Sequence, residues 1–219
     1  MRSRYRLGGK RGGWRGIDTL FGRCQNSNWA YIRDKTNIGL LIMKKLVRRW
    51  ELSGIIFVFL LGALLHFVFE WSGESKVIGA IASVNESVWE HFKQGFWPMC
   101  LYAAIEYKFI RSNINNFLTA KAVAVYLIPI ITALIFYAYT TATGKEILIV
   151  DIMIFAVAIT AGQLTSYRIL TSVKLPKYAN MISLAFIALL ALVLILFTFY
   201  PPHLPIFLDA NTGTYGILK

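Results

Sequence analysis

The sequence predicts an all-α membrane protein: a polytopic helix bundle with about five transmembrane helices and a short interfacial helix. Hydrophobic residues make up 57% of the 219 residues and charged residues only 16%, whereas about a quarter of an ordinary soluble domain is charged. Residues 53–69 and 179–202 contain no charged side chain. Stretches of this kind match the roughly 20 apolar residues that a helix needs to cross a bilayer.

The apolar segments place five spans at residues 53–71, 96–110, 122–139, 147–166 and 183–200. Trp50 and Trp71 bracket the first span as interfacial anchors. The last span is followed by Pro201 and Pro202, which cannot donate backbone hydrogen bonds to a continuing helix. The chain therefore has a well-marked first span and a sharply ended last one.

The region between the first two spans is less apolar. Residues 83–86 (SVNE) have the form of a capping box, with Ser83 at the cap and Glu86 three residues later. This predicts a short interfacial or re-entrant helix over residues 84–94. The second span, residues 96–110, is marginal in length and contains Glu106.

The basic residues predict the orientation of the bundle in a cell membrane. With the N-terminus in the cytoplasm and five spans, ten lysines and arginines from Lys44 onward fall on the inner side and four on the outer side. The excess of inner positive charge favours this direction. The C-terminus is then extracytoplasmic, and the lipid bilayer surrounds the spans.

The first 42 residues differ from the rest. They hold nine basic and two acidic residues without sustained periodicity, and their removal lowers the net charge from +12 to +5. The charge therefore does not predict nucleic-acid binding. Either Met43 is the true start, or residues 1–42 form a disordered basic cytoplasmic tail that touches anionic lipid. The predicted organisation is thus a basic N-terminal segment at 1–42, a transmembrane helix bundle at 43–200 and an extracytoplasmic tail at 201–219.

Polar residues gather at the outer face in this topology. Ionisable groups at membrane depth are costly and often functional, and imidazoles with carboxylates suit zinc, manganese or iron. One hypothesis is therefore a divalent metal site that activates water for hydrolysis, with Glu86 as the base. Its candidate ligands are His66, Glu70, Glu90, His91 and His203.

A simpler interpretation of the same residues needs no metal. Glu86, Glu90 and Lys93 have the spacing of a charge ladder on a helix surface. His66 can hydrogen-bond Glu70, which lies four residues later. Further polar candidates at this face are Asn85, Asp151 and Asp209.

Glu106 is the exception, because it falls toward the inner side of the second span. Gln163 and Ser166, low in the fourth span, are its possible partners. Such a group can lie in a proton or ion path, or it can form a packed hydrogen bond between helices. The proline-rich tail from residue 200 is too rich in proline for helix, and we expect it to fold back as a lid on the outer face.

Two motifs carry a resemblance. Residues 83–93 (SVNESVWEHFK), and residues 200–209 (YPPHLPIFLD) with 212–216 (TGTYG), resemble a family of small bacterial multi-pass membrane proteins of unknown function. The resemblance begins at Met43 and implies no activity, cofactor or site residue. The 42 preceding residues are absent from the family pattern, which favours Met43 as the start.

Three functions remain open from the sequence. The first is binding of a membrane or envelope partner, a lipid or a small ligand at the extracytoplasmic face. The second is a membrane-embedded metal-dependent hydrolase, and the third is a small transporter or channel with Glu106 in its path. No G-x-S-x-G elbow or phosphate-binding glycine loop is present, and the sequence predicts no oligomeric state.

Overall fold

The computed structural model describes residues 15–111 and 114–217, and for residues 15–36 it describes the backbone alone. These residues form α1 (Arg15–Trp71), α2 (Lys76–Gly79), α3 (Val88–Ile110), α4 (Phe117–Thr143), α5 (Leu148–Leu170) and α6 (Lys177–Phe199), followed by a 3-10 turn at Pro205–Phe207. Within the described ranges there is no strand, only an isolated bridge between Leu208 and Tyr215. The predicted all-α helix bundle is confirmed.

Four helical segments are long and apolar enough to cross a membrane: Asn37–Trp71 within α1, and the whole of α4, α5 and α6. Their outward side chains are apolar, and Ile56, Leu134 and Leu148 are all more than 60% exposed. Such helices are typical of proteins solvated by hydrocarbon. The fifth long helix, α3, has the 23 residues needed but carries Glu90, Lys93, Glu106 and Lys108.

Successive long helices run in opposite directions. This follows from the contacts between their ends: the end of α1 lies beside the start of α3, and the start of the bundle part of α1 lies beside the start of α4. His66, late in α1, lies beside His91, early in α3. Glu51, early in the bundle part of α1, contacts Lys121, early in α4. We call the end that holds His66 and His91 the histidine end, and the opposite end the lysine end.

Helix α3 corrects one prediction. Residues 88–94 of the interfacial helix predicted at 84–94 and the second span predicted at 96–110 form one continuous helix, with Pro98 inside it. Residues 84–87 precede this helix as a loop. The cap is Ser87 and not Ser83, since the Ser87 side chain accepts a hydrogen bond from the Glu90 backbone N–H at 3.4 Å. Residues 87–90 repeat the Ser-x-x-Glu pattern of residues 83–86, and the structure uses the second copy.

The chain divides into two compact units, Met1–Met43 and Lys44–Lys219. Helix α1 begins at Arg15, within the segment for which the sequence predicts disorder. Residues 1–14 lie outside the described part of the chain. The histidine end and the lysine end both belong to the second unit.

Glycines allow the helices of the second unit to approach closely. A Cβ at Gly62 in α1 would lie 2.5 Å from the backbone oxygen of Gln94 and 2.7 Å from the ring of Phe155. One at Gly95 in α3 would lie 2.7 Å from Ile128. Small residues at such positions are a common basis of helix association in membranes, and here they bring α3 against α1 and α4.

The C-terminal tail folds back on the histidine end. Phe207 is buried, and its ring lies 4.7 Å from that of Trp89 in α3, centroid to centroid. Asn85 donates to the backbone oxygen of Gly216 at 2.9 Å. The tail therefore fixes the loop before α3, which carries Glu86.

We predict that Gly62→Ala destabilises the protein. A new methyl group would meet a backbone oxygen that cannot rotate away, and overpacking of this kind costs about 1–3 kcal/mol. The measurement is thermal unfolding of the purified protein in detergent. Gly39→Ala, on the same helix, is the control, because among the described residues nothing lies within 4 Å of a Cβ there. Equal melting temperatures for the two variants would contradict the prediction.

Candidate functional site

Two histidines and a glutamate meet at the histidine end. His66 comes from α1, Glu86 from the loop before α3, and His91 from the first turn of α3. One possible ligand atom from each of these residues lies within 4.8 Å of the other two. His66 Nε2 is 3.4 Å from Glu86 Oε1, and His91 Nε2 is 3.5 Å from Glu86 Oε2. The carboxylate thus lies between the two imidazoles.

Hydrogen bonds on the far side of each ring hold the imidazoles in place. His91 Nδ1 lies 2.8 Å from the backbone oxygen of Ser87, so Nδ1 carries the proton and Nε2 presents a lone pair to Glu86 when the ring is neutral. His66 Nδ1 lies 2.9 Å from Gln94 Nε2. Because an amide nitrogen only donates, the neutral His66 ring then carries its proton on Nε2, directed at Glu86.

The loop around Glu86 is built by Asn85. Its side-chain oxygen accepts from the Ser87 backbone N–H at 2.9 Å, a local turn that asparagine favours. The hydrogen bond that His91 donates from Nε2 when its ring is protonated holds the pKa of Glu86 below its ordinary value, although burial acts in the opposite direction. Glu86 is therefore a carboxylate at neutral pH, and its side chain is 44% exposed.

Further carboxylates lie toward the same end of the bundle. Burial raises the pKa of Glu146, in the loop between α4 and α5, and the charges of Asp151 and Glu86 raise it further. Asp209, in the tail, acts on Glu146 in the same direction. Accumulated negative charge at one place attracts cations from solution.

Glu90 and Lys93 are buried beneath the histidines. The simpler interpretation of the sequence, which placed them in a charge ladder on a helix surface, is therefore wrong. Both side chains are at most 3% exposed and form an ion pair. Lys93 also donates to the Gly79 backbone oxygen at 2.7 Å and to Thr198 Oγ1 at 2.9 Å. Glu90 accepts from the Val84 N–H and from Thr198. The ion pair therefore connects α3 to α6 and to the segment of chain between α1 and α3.

The other residues predicted from the sequence lie elsewhere. Glu70 is exposed and outside the group of three. His203 packs edge-on against Tyr215 at 4.7 Å between ring centroids. Asp209 accepts from Thr212 Oγ1 and the Asn211 N–H within the tail. Asp151 accepts from the Tyr139 hydroxyl.

At the opposite end, Glu106 pairs with Lys121. Its predicted partner Ser166 donates instead to Glu51 at 2.7 Å, and Gln163 is buried with no hydrogen-bond partner among the described residues. Sequence reasoning missed Glu51, Lys121 and Gln94. Glu51 and Lys121 could have been suspected only because each is a charged residue next to an apolar span, where charge is costly.

A family model matches residues 41–217, and its description is a family of unknown function, DUF6512. The match begins two residues before Met43, where the resemblance seen in the sequence begins. No curated protein and no solved structure matches the chain.

We predict that Lys93→Met lowers the free energy of unfolding by about 3–5 kcal/mol, because it leaves the Glu90 carboxylate buried without its ion-pair partner. Unfolding in detergent measures this. Glu90→Gln combined with Lys93→Met should recover part of the loss, since no buried charge remains. Lys76→Met, at an exposed lysine, is the control, and a Lys93 variant as stable as this control would refute the prediction.

Proposed function

The chain belongs to the family of unknown function DUF6512, and we propose that this protein binds a divalent transition-metal ion of the zinc class at the extracytoplasmic face of the membrane. The ligands are His66, Glu86 and His91. The observation that carries the proposal is the convergence of three possible ligand atoms within 4.8 Å. The sequence predicts binding of a partner, a lipid or a small ligand at the extracytoplasmic face, and a divalent metal ion is the small ligand that fits these three donors.

The spacing of the donors supports a tetrahedral ion. Ligand atoms about 2.0–2.1 Å from zinc in tetrahedral geometry lie about 3.3 Å from each other. The two nitrogen–oxygen distances here are 3.4 Å to Glu86 Oε1 and 3.5 Å to Glu86 Oε2, and one ligand atom from each of the three residues lies within 4.8 Å of the other two. Small side-chain movements therefore bring the three atoms around one ion, while a fourth position stays open to water.

The chemistry of the donors supports the same class of ion. Two imidazoles and one carboxylate bind zinc and other first-row transition metals, whereas calcium and magnesium require oxygen ligands. The bond from His91 Nδ1 to the Ser87 backbone oxygen is the kind of outer contact that orients metal-binding histidines. His66 becomes a ligand through Nε2 when the Gln94 amide turns over, so that its oxygen accepts from Nδ1–H.

The arrangement favours metal binding over the predicted hydrolase. That hypothesis used Glu86 as the base that activates water. In the structure Glu86 lies between the two imidazoles and is best placed as a ligand. Glu70, Glu90 and His203, which the sequence offered as ligands, lie outside the group of three.

We predict that the purified full-length protein binds Zn²⁺ in isothermal titration calorimetry. His66→Gln and His91→Gln should each weaken binding by more than the about 10- to 100-fold that loss of an outer-shell partner causes. Affinity should also fall on acidification, because protons compete for the imidazoles. Co²⁺ absorption provides an independent measure of tetrahedral nitrogen and oxygen ligation.

His203→Gln is the matched control, because His203 is the one histidine of the chain outside the group. Gln94→Glu is a second test: its carboxylate accepts from His66 Nδ1–H, frees Nε2, and should tighten binding. The proposal fails if the wild type does not bind, or if the His203 variant loses as much affinity as the other two.

The direction of the bundle rests on its ten inner and four outer basic residues. We predict that a reporter fused after Lys219 is active when it requires an extracytoplasmic location. The same reporter should be inactive when it requires the cytoplasm. If only the cytoplasmic reporter were active, the histidine end would face the cytoplasm, and the metal site would not lie at the extracytoplasmic face.

A further inference from the structure

Three charged side chains from three helices meet at the lysine end. Glu51 comes from α1, Glu106 from α3 and Lys121 from α4. The ammonium nitrogen of Lys121 lies 2.9 Å from Glu51 Oε1 and also pairs with Glu106 Oε2. All three side chains are at most 3% exposed. This cluster is independent of the proposed metal site.

The cluster has an unbalanced charge. With all three groups ionised, two carboxylates face one ammonium and leave one negative charge in a buried place. Helix α5 contributes only neutral groups, Ser166 and Gln163, and α3 adds the phenol of Tyr102 one turn away. The basic residues next to Glu51, Glu106 and Ser166 in the sequence are Arg48, Arg49, Lys108, Arg111 and Arg168, and all five are exposed. A buried charge without a counterion is costly, and the group takes up a proton instead.

The two carboxylates have different partners. Glu51 Oε1 accepts from Ser166 Oγ at 2.7 Å as well as from Lys121 at 2.9 Å. Among the residues that the structure describes, Glu106 pairs with Lys121 alone. Because each donated hydrogen bond favours the charged form, Glu51 is better stabilised as a carboxylate, and Glu106 is the group that takes up the proton.

Unpartnered polar atoms mark the same place. Glu51 Oε2, Glu106 Oε1 and both polar atoms of the Gln163 amide are buried with no hydrogen-bond partner in the described chain. Gln163 lies three residues before Ser166 on α5, on the same helix face. Buried polar atoms are almost always satisfied, and a protonated Glu106 adds an O–H donor to this group of unpaired atoms.

We infer that Glu106 is a proton-binding site, which takes H⁺ from the aqueous phase at the lysine end and returns it there. A metal cation is the competing ligand for two carboxylates. The Lys121 ammonium, however, already occupies the position between them, where it would repel a second cation. A proton adds no bulk and converts the cluster to one carboxylate, one ammonium and one neutral acid.

The position of the cluster allows exchange with water. Glu106 lies four residues before the end of α3, Lys121 four residues after the start of α4, and Ser166 four residues before the end of α5. At 1.5 Å per residue, this is about 6 Å from the helix ends. The proton therefore has a short distance to travel.

Infrared spectroscopy of the full-length protein in detergent tests the inference. At pH about 7, well above the ordinary glutamate pKa of about 4.3, the wild type should show the C=O stretch of a buried carboxylic acid. Glu106→Gln should remove that signal and should fold, because the amide resembles the neutral acid in shape. Glu70→Gln, at an exposed glutamate, should leave the signal unchanged.

Lys121→Met is the second variant. Without the ammonium both carboxylates lose their counterion, so the carboxylic-acid signal should increase to about twice that of the wild type. Absence of the signal in the wild type, or its persistence in Glu106→Gln, would overturn the inference. Loss of the wild-type signal on addition of Na⁺ at constant pH would identify a metal cation in place of the proton. None of these outcomes depends on Zn²⁺ binding at the histidine end.

Discussion

The ion pair between Glu90 and Lys93 is the interaction on which the histidine end depends. Each of the three N–H bonds of the Lys93 ammonium has an acceptor: Glu90, Thr198 and the Gly79 backbone oxygen. These contacts join α3 to α6 and to the loop that precedes α3. They hold the first turn of α3 in place, and that turn carries His91 one residue after Glu90. The proposed ligands are thus positioned by a buried and fully satisfied network.

The sequence predicts the apolar helices better than it predicts α3. Their long apolar stretches identify them, since hydrocarbon requires backbone hydrogen bonds to be satisfied within the helix. The start of α3 is different, because two Ser-x-x-Glu patterns follow one another directly, at residues 83–86 and 87–90. Asn85 selects the second pattern through bonds to the Ser87 N–H and to Gly216. The bond to Gly216 spans 131 residues, so no local pattern predicts it.

The same limit applies to the side-chain clusters. The sequence identifies His66, Glu86 and His91 as polar residues at one face, but it cannot assign Glu86 as a ligand, because that depends on how the loop meets α1. It also cannot pair Glu51 with Lys121, which are 70 residues apart. Glu90 and Lys93 have a spacing that also suits an exposed helix surface. Their burial follows from packing against α6, which sequence spacing does not encode.

The two buried clusters of the bundle differ in one respect, and this difference separates structural from functional charge. At the histidine end one carboxylate meets one ammonium, and every polar atom of Glu90 and Lys93 has a partner. At the lysine end two carboxylates share one ammonium, and polar atoms of Glu51, Glu106 and Gln163 have no hydrogen-bond partner within the part of the chain that the structure describes. A balanced pair contributes rigidity alone, because any change of protonation would leave a buried charge. The unbalanced cluster becomes balanced only when it takes up a proton, so packing by itself gives no reason for its second carboxylate.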